Sequence, residues 1–79
     1  SDETTVDRPA APTAAHKVNL NTATQAELEL LPGIGPAMAQ RILEFRTAKG
    51  KFSSVEQLDD VKGIGQKTLA KLRPLVSVE

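Results

Sequence analysis

The feature that most constrains this chain is an internal near-repeat at an offset of 30 residues. Gly33-Ile34-Gly35 recurs unchanged as Gly63-Ile64-Gly65, and similar residues flank both copies at matching positions. A repeat of this kind indicates two copies of one supersecondary unit. The other matched pairs are Thr24 and Ser54, Leu28 and Leu58, Glu29 and Asp59, Leu31 and Val61, Arg41 and Lys71, and Ile42 and Leu72.

Each copy opens with a signal for the start of a helix. Thr24 is followed three residues later by Glu27, and Ser54 by Gln57, which is the pattern of a capping box. Apolar residues one turn apart then predict a buried face on a short first helix in each copy. These residues are Leu28 and Leu31 in the first copy and Leu58 and Val61 in the second.

The residues around each Gly-Ile-Gly predict a chain reversal and then a second helix. Pro32 cannot continue the first helix, the glycines permit a positive φ, and Pro36 suits the first position of the next helix. We predict that this helix runs to about Ala48, before Gly50 as its C′ residue, and that its counterpart covers about 66–73. The side chains predicted to face inward are Ala39, Ile42, Leu43, Phe45, Leu69 and Leu72, with Leu75 and Val76 packed behind them.

Composition divides the chain into a tail and a domain. Residues 1–17 are dominated by Thr, Ala, Pro and charged residues, which predicts a disordered tail or linker. Residues 18–79 are predicted to form one domain, with repeats at about 24–48 and 54–73. The alternating segment Val18-Asn19-Leu20-Asn21 opens that domain as a short extended stretch with its apolar side chains inward.

Several classes of function are disfavoured by composition. There is no cysteine and a single histidine, His16, so neither a Cys-based nor a His-based zinc site is expected. No pair of base and nucleophile stands out, and we predict no catalytic residue, metal or cofactor. No apolar run approaches the ~20 residues of a membrane helix. Because the sequence starts at Ser1 without an initiator methionine, we expect a mature form or an excised domain whose targeting segment has been removed.

Charge is balanced over the whole chain but unevenly distributed. Residues 1–31 hold five acidic and two basic residues, a net charge of −3, whereas residues 32–73 hold eight basic and four acidic residues, a net charge of +4. The basic excess therefore coincides with the repeated motifs. An ordinary solvated surface of mixed charge is the alternative interpretation.

The two Gly-Ile-Gly elements predict a binding site for phosphate. Glycine lets a ligand approach the backbone closely, and the helix that follows leaves its first N–H groups unpaired at the positive end of its dipole. Ile34 and Ile64 are expected to point inward and anchor each hairpin. The alternative is a pair of glycine turns that merely join helices.

Basic residues are expected to make the two hairpins unequal. Lys62 and Lys67 flank the second hairpin, and Lys71 lies one turn further along the same face as Lys67. In the first hairpin, Pro32 and Pro36 occupy the places of Lys62 and Gln66. The nearest cations expected at the first hairpin are Arg41 and then Arg46, Lys49 and Lys51. We therefore predict that the second hairpin supplies most of the electrostatic attraction.

The hairpins and the segment before them resemble a known family. Leu-Pro-Gly-Ile-Gly before a helix, repeated as Val-Lys-Gly-Ile-Gly, resembles the tandem helix-hairpin-helix fold. The string that begins Val18-Asn19-Leu20-Asn21-Thr22-Ala23-Thr24 and continues through Gly50-Lys51-Phe52 to the second hairpin resembles the ComEA-type competence proteins. The resemblance covers about residues 18–76. It implies an all-α, compact domain of the SAM-like kind, with four short helices related by a pseudo-two-fold repeat.

The resemblance also implies a function. ComEA-type proteins bind double-stranded DNA without sequence preference, outside the cytoplasmic membrane, during DNA uptake in transformation. Their hairpin amides meet phosphates across the minor groove, which here implies Gly33, Ile34, Gly35, Gly63, Ile64 and Gly65, with Lys67 as a side-chain contact. The expected location is periplasmic or otherwise extracytoplasmic in a bacterium, with the DNA-uptake machinery as a further partner. The family has membrane-anchored long forms and soluble short forms, and this chain resembles a short form or an excised domain.

Three other functions remain open. Some DNA glycosylases use the same hairpin with a catalytic Asp downstream, but no Asp follows Gly65. Helical pairs of this shape also serve as protein-interaction modules, which an exposed apolar patch would favour. The third is an accessory DNA-binding domain in a cytoplasmic repair or RNA-processing protein, against which the Asn-Leu-Asn-Thr-Ala lead-in argues.

Overall fold

The computed structural model describes residues 12–79. Most of the predicted tail, residues 1–11, lies outside the described part of the chain. The remainder of that segment contains a turn in which Thr13 and His16 exchange backbone hydrogen bonds of 3.1 and 3.0 Å. The predicted start of the domain at residue 18 stays a prediction.

The fold is mostly helical, as predicted from the two repeats. Its helical elements, in chain order, are α1 (Gln25–Glu29), α2 (Pro36–Lys49), a 3-10 helix (Val55–Asp60), α3 (Gln66–Leu72) and a 3-10 turn (Arg73–Leu75). Two short strands, β1 (Val18–Asn19) and β2 (Val76–Ser77), complete it. No helix within residues 12–79 is long and apolar enough to cross a bilayer.

The helix ends of the first repeat follow the predicted local rules. The Glu27 N–H donates to Oγ1 of Thr24 (3.2 Å), and the Thr24 N–H donates to Oε1 of Glu27 (2.8 Å). This capping box satisfies two N–H groups that a helix start leaves unpaired. At the other end of the repeat, α2 stops at Gly50, whose φ of 84° lies in the left-handed region.

The first helix of the second repeat is a 3-10 helix rather than an α-helix. Gln57 reaches back to its start, where Oε1 accepts from the N–H groups of Ser53 and Ser54. However, Val55 is β-branched, and Asp59 and Asp60 compete with backbone hydrogen bonding, so the segment has a low helix propensity. A short tight helix suffices to bury Leu58, as α1 buries Leu28.

The two repeats bury their side chains in the same way. Residues 31–42 and 61–72 have identical burial classes position by position. Ala39, Ile42, Leu69 and Leu72 are buried as predicted, while Leu43 and Phe45 are half-buried against the core. The fully enclosed side chains at its centre include Leu20, Leu28, Ile42, Phe52, Leu58, Leu72 and Val76.

The ends of the domain are tied together by a small parallel sheet. Val18 pairs with Val76 and Asn19 with Ser77, and the Leu20 N–H donates to the Ser77 carbonyl oxygen (2.9 Å). The extended segment around residue 18 was predicted, but its partner strand was not. Both repeats lie between the two strands in sequence, so the pairing brings the two ends of the domain together.

Candidate functional site

The first glycine of each Gly-Ile-Gly makes the chain reversal. Gly33 has a φ of 80° and Gly63 a φ of 98°. Within residues 12–79, Gly50 is the one other residue with a positive φ. Residues with a Cβ rarely adopt this conformation. The predicted positive φ is therefore confirmed for Gly33 and Gly63, but not for the second glycine of either hairpin.

The isoleucine in the middle of each hairpin is an anchor. Ile34 and Ile64 are each 4% exposed, as predicted. Their N–H groups donate within the turn, to the carbonyl oxygen of Leu31 (3.1 Å) and of Val61 (3.0 Å). Because these two amides already have protein partners, the amides of the flanking glycines are better placed to meet a ligand.

The second glycine of each hairpin is not required by the fold. Gly35 and Gly65 are the N-cap residues of α2 and α3, with φ values of −98° and −105°, which any residue can adopt. A Cβ added to either would meet no atom within 4 Å. Glycine there leaves the first N–H groups of the helix uncapped, whereas a Ser or Asp would cap them. Gly35 and Gly65 are therefore equivalent exposed positions, each with open space next to the uncapped N–H groups of a helix.

The amides of the hairpin glycines are available to a ligand. The N–H groups of Gly33, Gly35, Gly63 and Gly65 donate to no acceptor among residues 12–79. All four residues are exposed. A backbone N–H that is free and solvated is a suitable donor for a phosphate oxygen, since phosphate contacts of DNA-binding proteins commonly use such groups.

Three lysines precede or follow the second hairpin in sequence. Lys62, Lys67 and Lys71 are all exposed, so their ammonium groups can reach a ligand without first breaking a buried contact. Lys62 precedes Gly63 directly, and Lys67 lies in the first turn of α3. The exposed residues at the matching places of the first hairpin are uncharged, namely Pro32 and Ala37.

Arg41 lies against the second hairpin, which corrects the expectation that it serves the first. Its Nη1 donates to the carbonyl oxygen of Lys62 (3.3 Å). A Cβ on Gly63 would lie 2.9 Å from the same nitrogen and 2.6 Å from the terminal methyl of Met38. The physical reason is that the repeats dock across one another, so α2 of the first repeat lies on the hairpin of the second.

The reciprocal contact is looser. Thr68, the counterpart of Met38 on α3, lies 3.9 Å from where a Cβ on Gly33 would be. Lys71 follows Thr68 on the same face of α3, as Arg41 follows Met38 on α2. By this pseudo-symmetry we expect Lys71 to lie beside the first hairpin, so Arg41 and Lys71 exchange the places that the sequence suggested, and the second hairpin keeps three neighbouring cations.

Arg46 has a structural role that the sequence did not reveal. It is half-buried, and its Nη1 donates to the carbonyl oxygens of Leu20 and Ala23, both at 2.9 Å. It is therefore engaged with the lead-in segment and is not a free cation for the first hairpin. Lys49 and Lys51, the other cations expected there, are exposed near the end of α2.

An exposed apolar patch, which would favour docking of a protein, is small. Leu30, 38% exposed, is the one large apolar side chain exposed within the described residues. The described residues also contain no group of acidic, histidine or cysteine side chains arranged to hold a metal ion.

Comparison with known proteins agrees with the repeated geometry. A family model described as the helix-hairpin-helix motif matches residues 13–77, which include both hairpins. ComE operon protein 1 of Bacillus subtilis is 39% identical over 62 residues, which are 78% of this chain and 30% of that protein. An uncharacterized protein of Haemophilus influenzae is 47% identical over 58 residues, 72% of this chain and 52% of that protein.

A similar segment occurs in much larger proteins. Endonuclease/exonuclease/phosphatase family domain-containing protein 1 of Homo sapiens is 42% identical over 57 residues, 72% of this chain but 10% of that protein. The chain thus spans between 30% and 52% of the two bacterial relatives and far less of the human one.

Proposed function

The chain belongs to the helix-hairpin-helix family, and on that premise we propose that it binds double-stranded DNA without sequence preference, through the backbone of its two hairpins. In this proposal it is a binding module and not an enzyme. The similarity to ComE operon protein 1 supports a place in bacterial DNA uptake during competence.

The observation that carries the proposal is the pair of open glycines, Gly35 and Gly65. Neither a positive φ nor a neighbouring atom requires a glycine at these positions, and Ser or Asp would cap the helix better. Close approach of a ligand to the backbone does explain it. The same position is open in both repeats, so the ligand is expected to offer the same group twice, as the repeating phosphates of a nucleic acid do.

The chemistry of the donors predicts how the DNA is recognised. Amides of Gly33, Gly35, Gly63 and Gly65 offer N–H groups to phosphate oxygens, which are the same at every nucleotide. Contacts to phosphate position a protein on the duplex but carry no sequence information. Lys62, Lys67 and Lys71 add attraction that salt screens, although the balanced net charge of the chain limits it.

Titration of two duplexes of unrelated sequence, each at a low and a moderate salt concentration, tests this function. We expect equal affinity for both duplexes and a steep loss of affinity with salt. Absence of binding at low salt would rule out the proposed function. A strong preference for one duplex would instead overturn its mechanism, because phosphate contacts cannot discriminate between sequences.

The proposed setting is outside the cytoplasmic membrane of a bacterium, with the DNA-uptake machinery as partner. It can be tested in competent Bacillus subtilis by exchanging the matching segment of ComE operon protein 1 for residues 18–79 of this chain. Transformation should be retained by the exchange and lost when the exchanged segment carries Gly35→Ala and Gly65→Ala. Loss of transformation with the unmutated segment, despite normal amounts of protein, would contradict this setting.

A further inference from the structure

We propose that Arg41 is a positioning residue, which orients the backbone of the second hairpin from the first repeat so that the two repeats bind as one unit. The inference rests on the DNA-binding function proposed above. In this role Arg41 orients the backbone donors of the second hairpin before DNA binds.

The contact that supports this role is made to the backbone. Nη1 of Arg41 donates to the Lys62 carbonyl oxygen at 3.3 Å. That carbonyl and the Gly63 N–H belong to one peptide unit, which is planar, so the two groups point in opposite directions. Holding the carbonyl therefore fixes the direction of the Gly63 N–H, one of the free donors of the hairpin.

Packing around Gly63 restrains the same peptide unit. The space that a Cβ on Gly63 would need is filled by Met38 and by Arg41 itself, with atoms at 2.6 and 2.9 Å. A peptide next to a glycine with a φ of 98° could otherwise rotate readily, since glycine has wide conformational freedom. Met38 and Arg41 of α2 thus occupy the space that the peptide unit at Gly63 would need in order to rotate.

The first hairpin lacks an equivalent restraint. Thr68 approaches Gly33 no closer than 3.9 Å from the position of an added Cβ. Lys71, the counterpart of Arg41, makes no hydrogen bond to the backbone of the first hairpin within the described residues. Lys71 therefore serves as a matched control: it is a cation at the equivalent place that should act only through its charge.

The proposal can be tested with Arg41→Ala and Lys71→Ala in the full chain. Residual dipolar couplings of the backbone amides, measured without DNA, report the direction of each N–H bond. We expect the coupling of Gly63 to change in Arg41→Ala and to remain unchanged in Lys71→Ala. An unchanged Gly63 coupling in Arg41→Ala would overturn the proposal. This measurement decides the question even if the wild-type chain proves not to bind DNA.

DNA titration gives a second, independent readout. Arg41→Ala should weaken binding by about two- to tenfold, the range for one hydrogen bond, and should leave the dependence of affinity on salt unchanged. Lys71→Ala should lower that salt dependence by roughly one phosphate contact. A salt dependence that falls equally in both variants would show that Arg41 is a phosphate contact and not a positioning residue. Arg41 and Lys71 are both exposed, so neither substitution should impair folding.

Discussion

The side-chain amide of Asn21 pairs with the backbone of Phe52 in both directions. The Phe52 N–H donates to Oδ1 of Asn21 (2.6 Å), and Nδ2 of Asn21 donates to the Phe52 carbonyl oxygen (3.1 Å) and to that of Glu79 (3.2 Å). One side chain therefore joins the lead-in, the connection between the repeats and the C-terminal end. This makes Asn21 a structural residue, despite its place in the segment that identifies the family resemblance.

Asn21→Ala should destabilise the domain by about 1–3 kcal/mol, because it leaves half-buried polar groups of Phe52 without a partner. The free energy of unfolding, measured by urea denaturation, checks this. Thr22→Ala is the control, since Thr22 is exposed and only its backbone is hydrogen-bonded. Equal stability of the two variants would mean that the Asn21 pairing contributes nothing measurable.

Arg46→Ala should also affect stability more than DNA binding. Its guanidinium donates to two carbonyl oxygens of the lead-in, and loss of hydrogen bonds from a charged group costs about 1.5–3 kcal/mol. We expect the midpoint of urea unfolding to fall, while the salt dependence of DNA binding by the folded protein stays unchanged. Lys49→Ala, which removes an exposed charge from the same helix, should leave the midpoint near that of the wild type. A reduced salt dependence in Arg46→Ala would instead assign Arg46 to the DNA interface.

Gly63→Ala should destabilise the chain more than Gly33→Ala. Both substitutions force a side chain into the left-handed region, at a cost of about 1–2 kcal/mol. At Gly63 the new methyl group must also displace Met38 and Arg41. Met38→Thr, which introduces the residue found at the matching place of α3, should reduce the extra cost in a double-mutant cycle. Additive effects of Gly63→Ala and Met38→Thr would exclude steric conflict with Met38 as the cause of the extra cost.

The charges around the hairpins can be exchanged between the repeats. Lys67→Ala should weaken binding equally for all duplexes and reduce the salt dependence by roughly one phosphate contact. The converse change, Ala37→Lys, places a lysine at the equivalent position of the first hairpin and should strengthen binding. Both variants alter exposed positions, so their unfolding midpoints should match that of the wild type. No change in affinity for either variant would remove this position from the proposed interface.

Local order along the chain was predictable from local sequence. The capping box at Thr24, the reversal at each first glycine and the end of α2 near Gly50 all follow from neighbouring residues. The buried faces predicted at matching positions of the two repeats are confirmed, since Leu28, Leu31, Leu58 and Val61 are all buried. These features depend on interactions within a few residues, which sequence patterns report directly.

Relations between the repeats were not predictable in the same way. The Asn21–Phe52 pairing, the strand pairing of Val18 with Val76 and the reach of Arg41 to Lys62 all depend on how the two repeats dock. A repeat in sequence indicates that two units are alike, but it does not indicate which helix packs against which hairpin. The contacts that Gly33, Gly35, Gly63 and Gly65 are proposed to make with DNA also lie outside the chain, so no packing within the fold reports them.

In the proposed function, the open backbone at Gly35 and Gly65 binds DNA phosphates directly. The affinity of the double variant Gly35→Ala/Gly65→Ala for a duplex at low salt reports on this contact. Gln40→Ala, which introduces the residue found at the matching position of α3, is the control. The preference of N-cap positions for glycine over alanine is offset by the lower flexibility of the unfolded chain, so stability should stay within about 1 kcal/mol of the wild type.

We expect the folded double variant to bind every duplex at least about tenfold more weakly than Gln40→Ala, because each added methyl group keeps a phosphate from the backbone donors. A folded double variant with the affinity of Gln40→Ala would rule out direct binding of phosphate at these two glycines.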